Sequence, residues 1–248
     1  MAIFKSFTFD GINSLDKGVY ITGEAVYNAP ERVVEMIEIP GKNGALAIDQ
    51  GRFTNIEVTY PAGAYARSQE DFAEKIREIR NILASRYTYK RLEDEYNPDE
   101  YRLGLYKSGL DVAAVAYHIA GEFKITFDCK PQRFLKSGEE AQSFSSSGSI
   151  TNPTFFASRP LLVVTGAGQL VLGSHVIEIS NGSGAGQVIN IDCESQEAWE
   201  FVGGAMVARN DYIQIAGREF PTLTSGENVV TIGSGITKVE ITPRWWRI

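Results

Sequence analysis

Two histidines, His118 and His175, and two cysteines, Cys129 and Cys193, are the side chains of this 248-residue sequence most suited to hold a metal ion or act as nucleophiles. Neither histidine belongs to a ligand-spacing motif, and both stand in strand-like runs, where a histidine on a polar face or at a sheet edge is the simpler reading. Each cysteine ends an alternating apolar run, FKITFDC or VINIDC, as a small buried hydrophobe does. The pair could form one disulfide if folding brought them together, an outcome that a reducing assembly compartment disfavours. Acidic runs at Glu93-Asp94-Glu95 and Glu139-Glu140 supply carboxylates for a glycosidase pair or a calcium loop. Their adjacency fits neither the separation of the former nor the spaced pattern of the latter. Gly182-Ser183-Gly184-Ala185-Gly186 lies between two strands and does not open a helix, so it reads as a hairpin loop and not a nucleotide cradle. Neither a GxSxG elbow nor a P-loop is present, and GKNG at 41–44 fails the P-loop spacing. No catalytic, cofactor-binding or metal residues are therefore assigned, and the chain is expected not to be an enzyme.

Aromatic residues are the other candidates, because exposed Trp on a β-sandwich can stack on sugars. Trp199 sits in ESQEAWEF, and Trp245-Trp246 lie between Arg244 and Arg247. In a terminal strand adjacent tryptophans point to opposite faces, so one is core and the other is left to contact either a partner or the linker. Trp199 and Trp246 are the candidate saccharide or partner contacts.

Composition bounds the rest. A hydrophobic content of 43%, a charged content of 22% and a net charge of −7 describe a folded domain protein without a basic stripe for phosphates. The N-terminus lacks a long apolar core and no run approaches a membrane span, so neither export by a classical signal nor anchoring is expected.

The elements that would position these residues are mostly strands. Phe4 to Phe9 and Val19 to Thr22 alternate around turn residues. Glu31 to Ile39, apolar and β-branched on much of both faces, reads as a central strand. Pro40-Gly41-Lys42-Asn43-Gly44 turns it into a short return over Ala45 to Ile48, and Thr54 to Tyr60 follows as a half-exposed strand. Pro61-Ala62-Gly63-Ala64 is expected to break the sheet. Ser68-Gln69-Glu70-Asp71 has the spacing of a capped helix start, and Phe72, Ile76, Ile79 and Leu83 recur at helical intervals, predicting one helix over 68–86. The charged, tyrosine-rich stretch 87–106 reads as a projecting hairpin, with Tyr87, Tyr89, Tyr96, Tyr101 and Tyr106 as candidate subunit contacts. Arg102 to Tyr106, Val112 to Ile119 and Glu122 to Cys129 are further strands.

Residues 136–153 are polar and serine-rich, which suits a linker between a domain at 1–135 and one at 154–248. Residues 1–135 hold 17 basic and 20 acidic side chains, against 7 and 11 in the remainder. In that remainder seven strands, near Leu161, Gln169, Val176, Val188, Tyr212, Val229 and Val239, come at sandwich spacing with no helix between them.

Taken in order, FTFDG at 7–11, the Glu31-Arg32 pair, IPGKNGAL at 39–46, the capped helix, FDCKP at 127–131, TNP at 151–153 and SRP at 158–160 form one set. VTGAG at 164–168, IDCE at 191–194, EFPTLTSGEN at 219–228 and the terminal ITPRWW complete it. This set resembles the distal tail proteins of long-tailed, non-contractile bacteriophages and prophages, over the whole chain. The resemblance implies a mainly β fold: an α+β, barrel-like, ring-forming N-terminal domain with one helix and a projecting hairpin, then a galectin-like antiparallel sandwich. It further implies a structural virion component assembled in the bacterial host cytoplasm. Such a hub would be a homo-oligomer, a hexameric ring that joins the tail tube protein to baseplate or tail-tip proteins and passes DNA through its lumen without specific binding. An acidic chain suits a DNA conduit, where like charge discourages sticking. The alternatives are a module holding a host cell-wall saccharide through the sandwich, and an enzyme acting on the wall.

Overall fold

The computed structural model describes all residues except 1–4, 25, 26, 116, 117 and 185, so the strand expected from Phe4 and the run 112–119 lie partly outside the described residues. The chain divides into two compact units, Met1–Arg133 with Ile248, and Phe134–Arg247.

The first unit is a curled half-barrel. It is built from β1 (Phe7–Phe9), β2 (Ile12–Asn13), β3 (Val19–Ile21), β6 (Ile56–Tyr65), β7 (Lys90–Asp94), β8 (Glu100–Tyr106), β9 (Ala113–Val115) and β10 (Ala120–Cys129). The strand order is β2-β1-β7-β8-β10-β6-β3, with β9 also on β10. Alternation along β10 buries Phe123, Ile125, Phe127 and Cys129 and leaves Glu122 and Lys124 outside. Helix α1 (Gln69–Ala84) starts where the Ser68 hydroxyl accepts the Asp71 N–H at 3.1 Å, and it lays Phe72, Ile76, Ile79 and Leu83 on that core. Phe7 stacks on Tyr60 with ring centroids 5.4 Å apart, and both meet Phe127 edge-on.

β4 (Arg32–Glu38) and β5 (Ala45–Phe53) form a separate two-stranded ribbon. Three expectations are corrected in this unit. The 31–39 run is an exposed ribbon strand and not a central one. Pro61 does not end the sheet: β6 continues to Tyr65, and Pro61 sits where its carbonyl accepts the Thr22 N–H at 2.8 Å, just past the end of the paired stretch with β3, where a missing N–H is tolerated. The stretch 87–106 does not project, because β7 and β8 lie between β1 and β10 inside the sheet.

The second unit opens with β11 (Arg133–Leu135), which straddles the boundary, followed by two sheets sharing one core. One has the order β12 (Gln142–Phe144), β22 (Ile236–Thr242), β14 (Leu161–Gly166), β17 (Val188–Asp192), β18 (Glu197–Val202), β19 (Ala205–Ala208). The other runs β13 (Gly148–Asn152), β21 (Gly226–Ile232), β15 (Gly168–Leu172), β16 (His175–Ile179), β20 (Ile213–Ile215). Leu162, Val164, Ile189 and Ile191 from the first meet Ile150, Leu170, Leu172 and Ile177 from the second. The serine-rich stretch expected as a linker belongs to this sandwich. A 3-10 turn at Lys136–Glu139 is followed by β12 on β22 and β13 on β21. Ser143 and Ser149 are exposed on these edge strands and Ser145, Ser146 and Ser147 are exposed in the bend between them, so the polarity of the stretch reports solvated edges.

Candidate functional site

The ribbon carries the most exposed apolar surface arrayed on regular structure in the first unit. Its register pairs Glu35 with Ile48, Met36 with Ala47, Ile37 with Leu46 and Glu38 with Ala45, with a bulge between Arg32 and Val34. Directly opposed residues share a face, so Ile37, Leu46 and Ile48 line one side while Val34, Met36, Ala45 and Ala47 line the other. Met36 is 61% exposed and Leu46 50%, and every residue of both strands except Val33 and Phe53 is exposed. Gly41 and Gly44, at φ of 78° and 80°, make the tip reverse. At the base, Thr54 N–H donates to the Glu31 carbonyl at 2.9 Å and Arg32 pairs with Asp49. The hydrogen bond and charge of Arg32 hold the Asp49 carboxyl below the usual range. An isolated two-stranded ribbon is marginal in water, and each large aliphatic buried stabilises by roughly 1.5–3 kcal/mol. Both faces of this one present aliphatic side chains to solvent.

The tyrosines proposed as contacts are mostly spent inside the first unit. Tyr96 donates to the Gly23 carbonyl and lies under Lys5 Nζ at 4.3 Å; Tyr101 lies under the Arg91 guanidinium at 3.8 Å. Tyr106 packs edge-on to Phe127 at 6.0 Å, and the Tyr89 hydroxyl accepts from Asn55 at 2.6 Å. Tyr87 alone among the five is exposed, at 90%. Sequence reasoning placed the arm here because charge and tyrosine suggest surface. The ribbon's apolar strand, glycine turn and return were read from the sequence, but as a central strand of the sheet and not as an exposed ribbon.

The acidic run is structural. Glu93 pairs with Arg91 at 2.5 Å, Asp94 accepts the Tyr60 hydroxyl at 2.8 Å and the Tyr96 and Asn97 N–H groups at 3.0 Å, and Glu95 accepts from Ser6. Burial first, then Asp94, pushes the Tyr60 hydroxyl well up. His118 occupies a turn at φ 64°, His175 opens β16 with its Nδ1 buried, and both cysteines are buried in the cores of their own units, with thiols pushed up to about 12 chiefly by burial. Among the described residues no group of three His, Cys, Asp or Glu is placed to hold a metal ion. No described helix is long and apolar enough to cross a membrane.

In the second unit Trp245 is the inward member of its pair and Trp246 the outer one. Trp246 stacks on Phe156 at 4.5 Å and gives its indole N–H to the Ala157 carbonyl at 3.0 Å, so one ring face and its donor are engaged. Trp199 is half-buried on β18, opposite Asn190 and Ala208.

Residues 18–129 match the family model of the phage tail protein RIFT-related domain. The whole chain is similar to the solved structure of the SPP1 Dit protein, described as a paradigm of the hub adsorption apparatus in phages infecting Gram-positive hosts, with 11% identity, TM-score 0.71, 99% of this chain and 100% of that one covered. It is also similar to a chain of the phage P2 baseplate in its activated conformation with Ca (10% identity, TM-score 0.54, 96% and 97% covered). A chain of the phage p2 baseplate with Sr gives 10% identity, TM-score 0.52 and 98% of both chains. At these identities the likeness is one of fold. No curated protein matches by sequence.

Proposed function

We propose that this chain, which carries a phage tail protein RIFT-related domain over residues 18–129, is a structural subunit of a tail hub at the distal end of a phage tail. Copies assemble through the first unit into a hexameric ring that joins the tail tube to baseplate or tail-tip proteins, around a passage for DNA. The observation that carries this reading is the β4–β5 ribbon, whose two aliphatic faces and two strand edges have no cover from the chain's other described residues. A head-to-tail contact between identical subunits closes into a ring when its rotation closes, and a ribbon laid on the neighbour supplies such a contact. The chain's net charge of −7 keeps the walls of such a passage from adhering to DNA. The ribbon favours assembly over the saccharide-binding alternative, for which Trp246 is largely spent internally.

Light scattering and electron images of the purified full chain test it. The wild-type chain is expected to form rings, and a Leu46→Arg, Ile48→Glu double variant is expected to stay monomeric with an unchanged circular dichroism spectrum. A wild type that remains monomeric at tens of micromolar, or a double variant that assembles as before, would overturn the ribbon-mediated ring.

A further inference from the structure

The second unit holds another apolar projection, which sequence reasoning missed. β18 and β19 form a hairpin across Gly203-Gly204, both at positive φ (58° and 84°), as a two-residue turn of the primed type requires. From Phe201 to Ala208 the sequence FVGGAMVA has no charged or polar side chain, and every residue of it except Val207 is exposed. Phe201 is 64% and Met206 67% exposed, and they stand directly opposite one another. On the same face β18 adds Trp199 and β17 adds Val188 and Asn190, by their registers.

β19 is also the last strand of its sheet. Arg209 N–H donates to the Ala198 carbonyl at 2.7 Å, toward β18. Alternation along the strand then turns the N–H and C=O groups of Met206 and Ala208 outward, where no described strand meets them. Open edges are ordinarily blunted by lysine, proline or an inward charge, and β19 has none of these. An open ladder of this kind is satisfied by another extended chain.

Charge narrows the choice of chain. At the base of the hairpin Arg209 is taken by Glu200, at 2.6 Å, and the Ser183 hydroxyl gives Glu200 a second hydrogen bond at 2.7 Å. Glu197 and Asp211, both exposed, flank that base and appear in no ion pair among the described residues, so the unneutralised charge there is negative. Antiparallel pairing of this edge with the same edge of a second copy would set Gly203-Gly204 of one beside the acids of the other, and the copy has no cation to offer there.

We infer that the β19 edge takes an extended strand of a partner tail protein, apolar at its centre and cationic at the end lying beside Glu197 and Asp211. That the partner is a tail protein rests on the hub reading; the strand geometry does not. The probe is a ten-residue peptide alternating valine and threonine with two lysines at one end, added to the full chain. Backbone amides of Met206 and Ala208 are expected to gain protection from hydrogen exchange. Met206→Val, which keeps the outward N–H, should bind the peptide nearly as well as wild type. Met206→Pro, which an edge strand tolerates and which removes only an outward donor, should bind about tenfold more weakly. Glu197→Gln with Asp211→Asn should weaken binding of the lysine-bearing peptide and leave that of a lysine-free one unchanged. Absence of protection at millimolar peptide, equal binding by the Pro and Val variants, or protection of this edge by cell-wall saccharide fragments instead of peptide would overturn the inference. The mass of the free chain reports on ring formation separately, so a monomer that binds the peptide sinks the ring and leaves the edge standing.

Discussion

Asp192 and Arg244 show how single residues hold this fold. The guanidinium meets the carboxylate in a two-point fork at 2.7 and 2.9 Å, and the same carboxylate accepts the Glu194 and Ser195 N–H groups. Desolvation alone would raise Asp192, but Arg244 and the two N–H groups outweigh it and hold the carboxyl below its ordinary range. A carboxyl lowered by folding contributes stability that is fully present above its unfolded value and fades as pH falls through the folded one. Asp192→Asn is therefore expected to lower Tm at neutral pH, and the gap from wild type should narrow as pH drops below about 4; thermal melts across pH 2.5–7 measure it. Asn152 is a second such residue. Its amide gives to the Phe156 and Leu223 carbonyls at 2.9 Å and takes the Thr154 N–H and hydroxyl at 2.8 Å, all while buried. Removing it orphans several buried groups at roughly 1–3 kcal/mol each, so Asn152→Ala should cost at least about 2 kcal/mol in denaturant unfolding, while a surface change such as Ser149→Ala costs almost nothing. Neither role was legible in the sequence, where TNP falls in the stretch read as a linker and RWW in a terminal strand, because each depends on a distant partner, Leu223 for Asn152 and Arg244 for Asp192.

Elements were legible where one period and one burial face coincide. α1 was readable from Phe72, Ile76, Ile79, Leu83 and the Ser68 cap, and β10 from its strict alternation, because each has a single inward face. The ribbon was misread because an apolar run states that a surface is to be covered, not whether its own chain or another covers it. The stretch 87–106 was misread for the opposite reason: its charges are matched within the sheet, Arg91 with Glu93 two residues along β7 and Glu100 with Arg133, so they do not require a projecting arm. The serine-rich stretch was misread because edge strands with polar outer faces resemble linkers in composition. Its Gly138 carries the clearest test, since a Cβ there would sit 2.3 Å from the Trp245 backbone nitrogen, and Arg244 N–H donates to its carbonyl at 2.7 Å. Gly138→Ala is expected to destabilise the second unit by roughly 1–3 kcal/mol, which a true linker glycine would not do. Limited proteolysis of unassembled chain should accordingly nick the ribbon tip at 40–44 before anything in 136–153.

At the scale of the whole chain, two units with separate cores make a division of labour testable by cutting between them. The cut belongs at 133/134 and not after the serine-rich stretch, because β12 and β13 complete the two sheets of the second unit and Ile150 is buried in its core. Fragment 134–248 is expected to fold by circular dichroism, whereas 154–248, which lacks both strands, exposes the flanks of β22 and β21 and should be unfolded or aggregated. The proposed ring makes a second demand on the same fragments. The first unit carries the ribbon and a dense, nearly balanced charge, 17 basic against 20 acidic side chains in residues 1–135, with which a neighbour can be held in register. The second unit's exposed apolar hairpin pairs only four residues of β18 with the four of β19 and offers a partner one edge, not two faces. Light scattering of 1–133 should therefore show self-assembly that Leu46→Arg with Ile48→Glu abolishes, and 134–248 should remain monomeric at the same concentration. If the second fragment oligomerises and the first does not, assembly resides in the sandwich, and the ribbon's exposed aliphatics must be covered by a different protein.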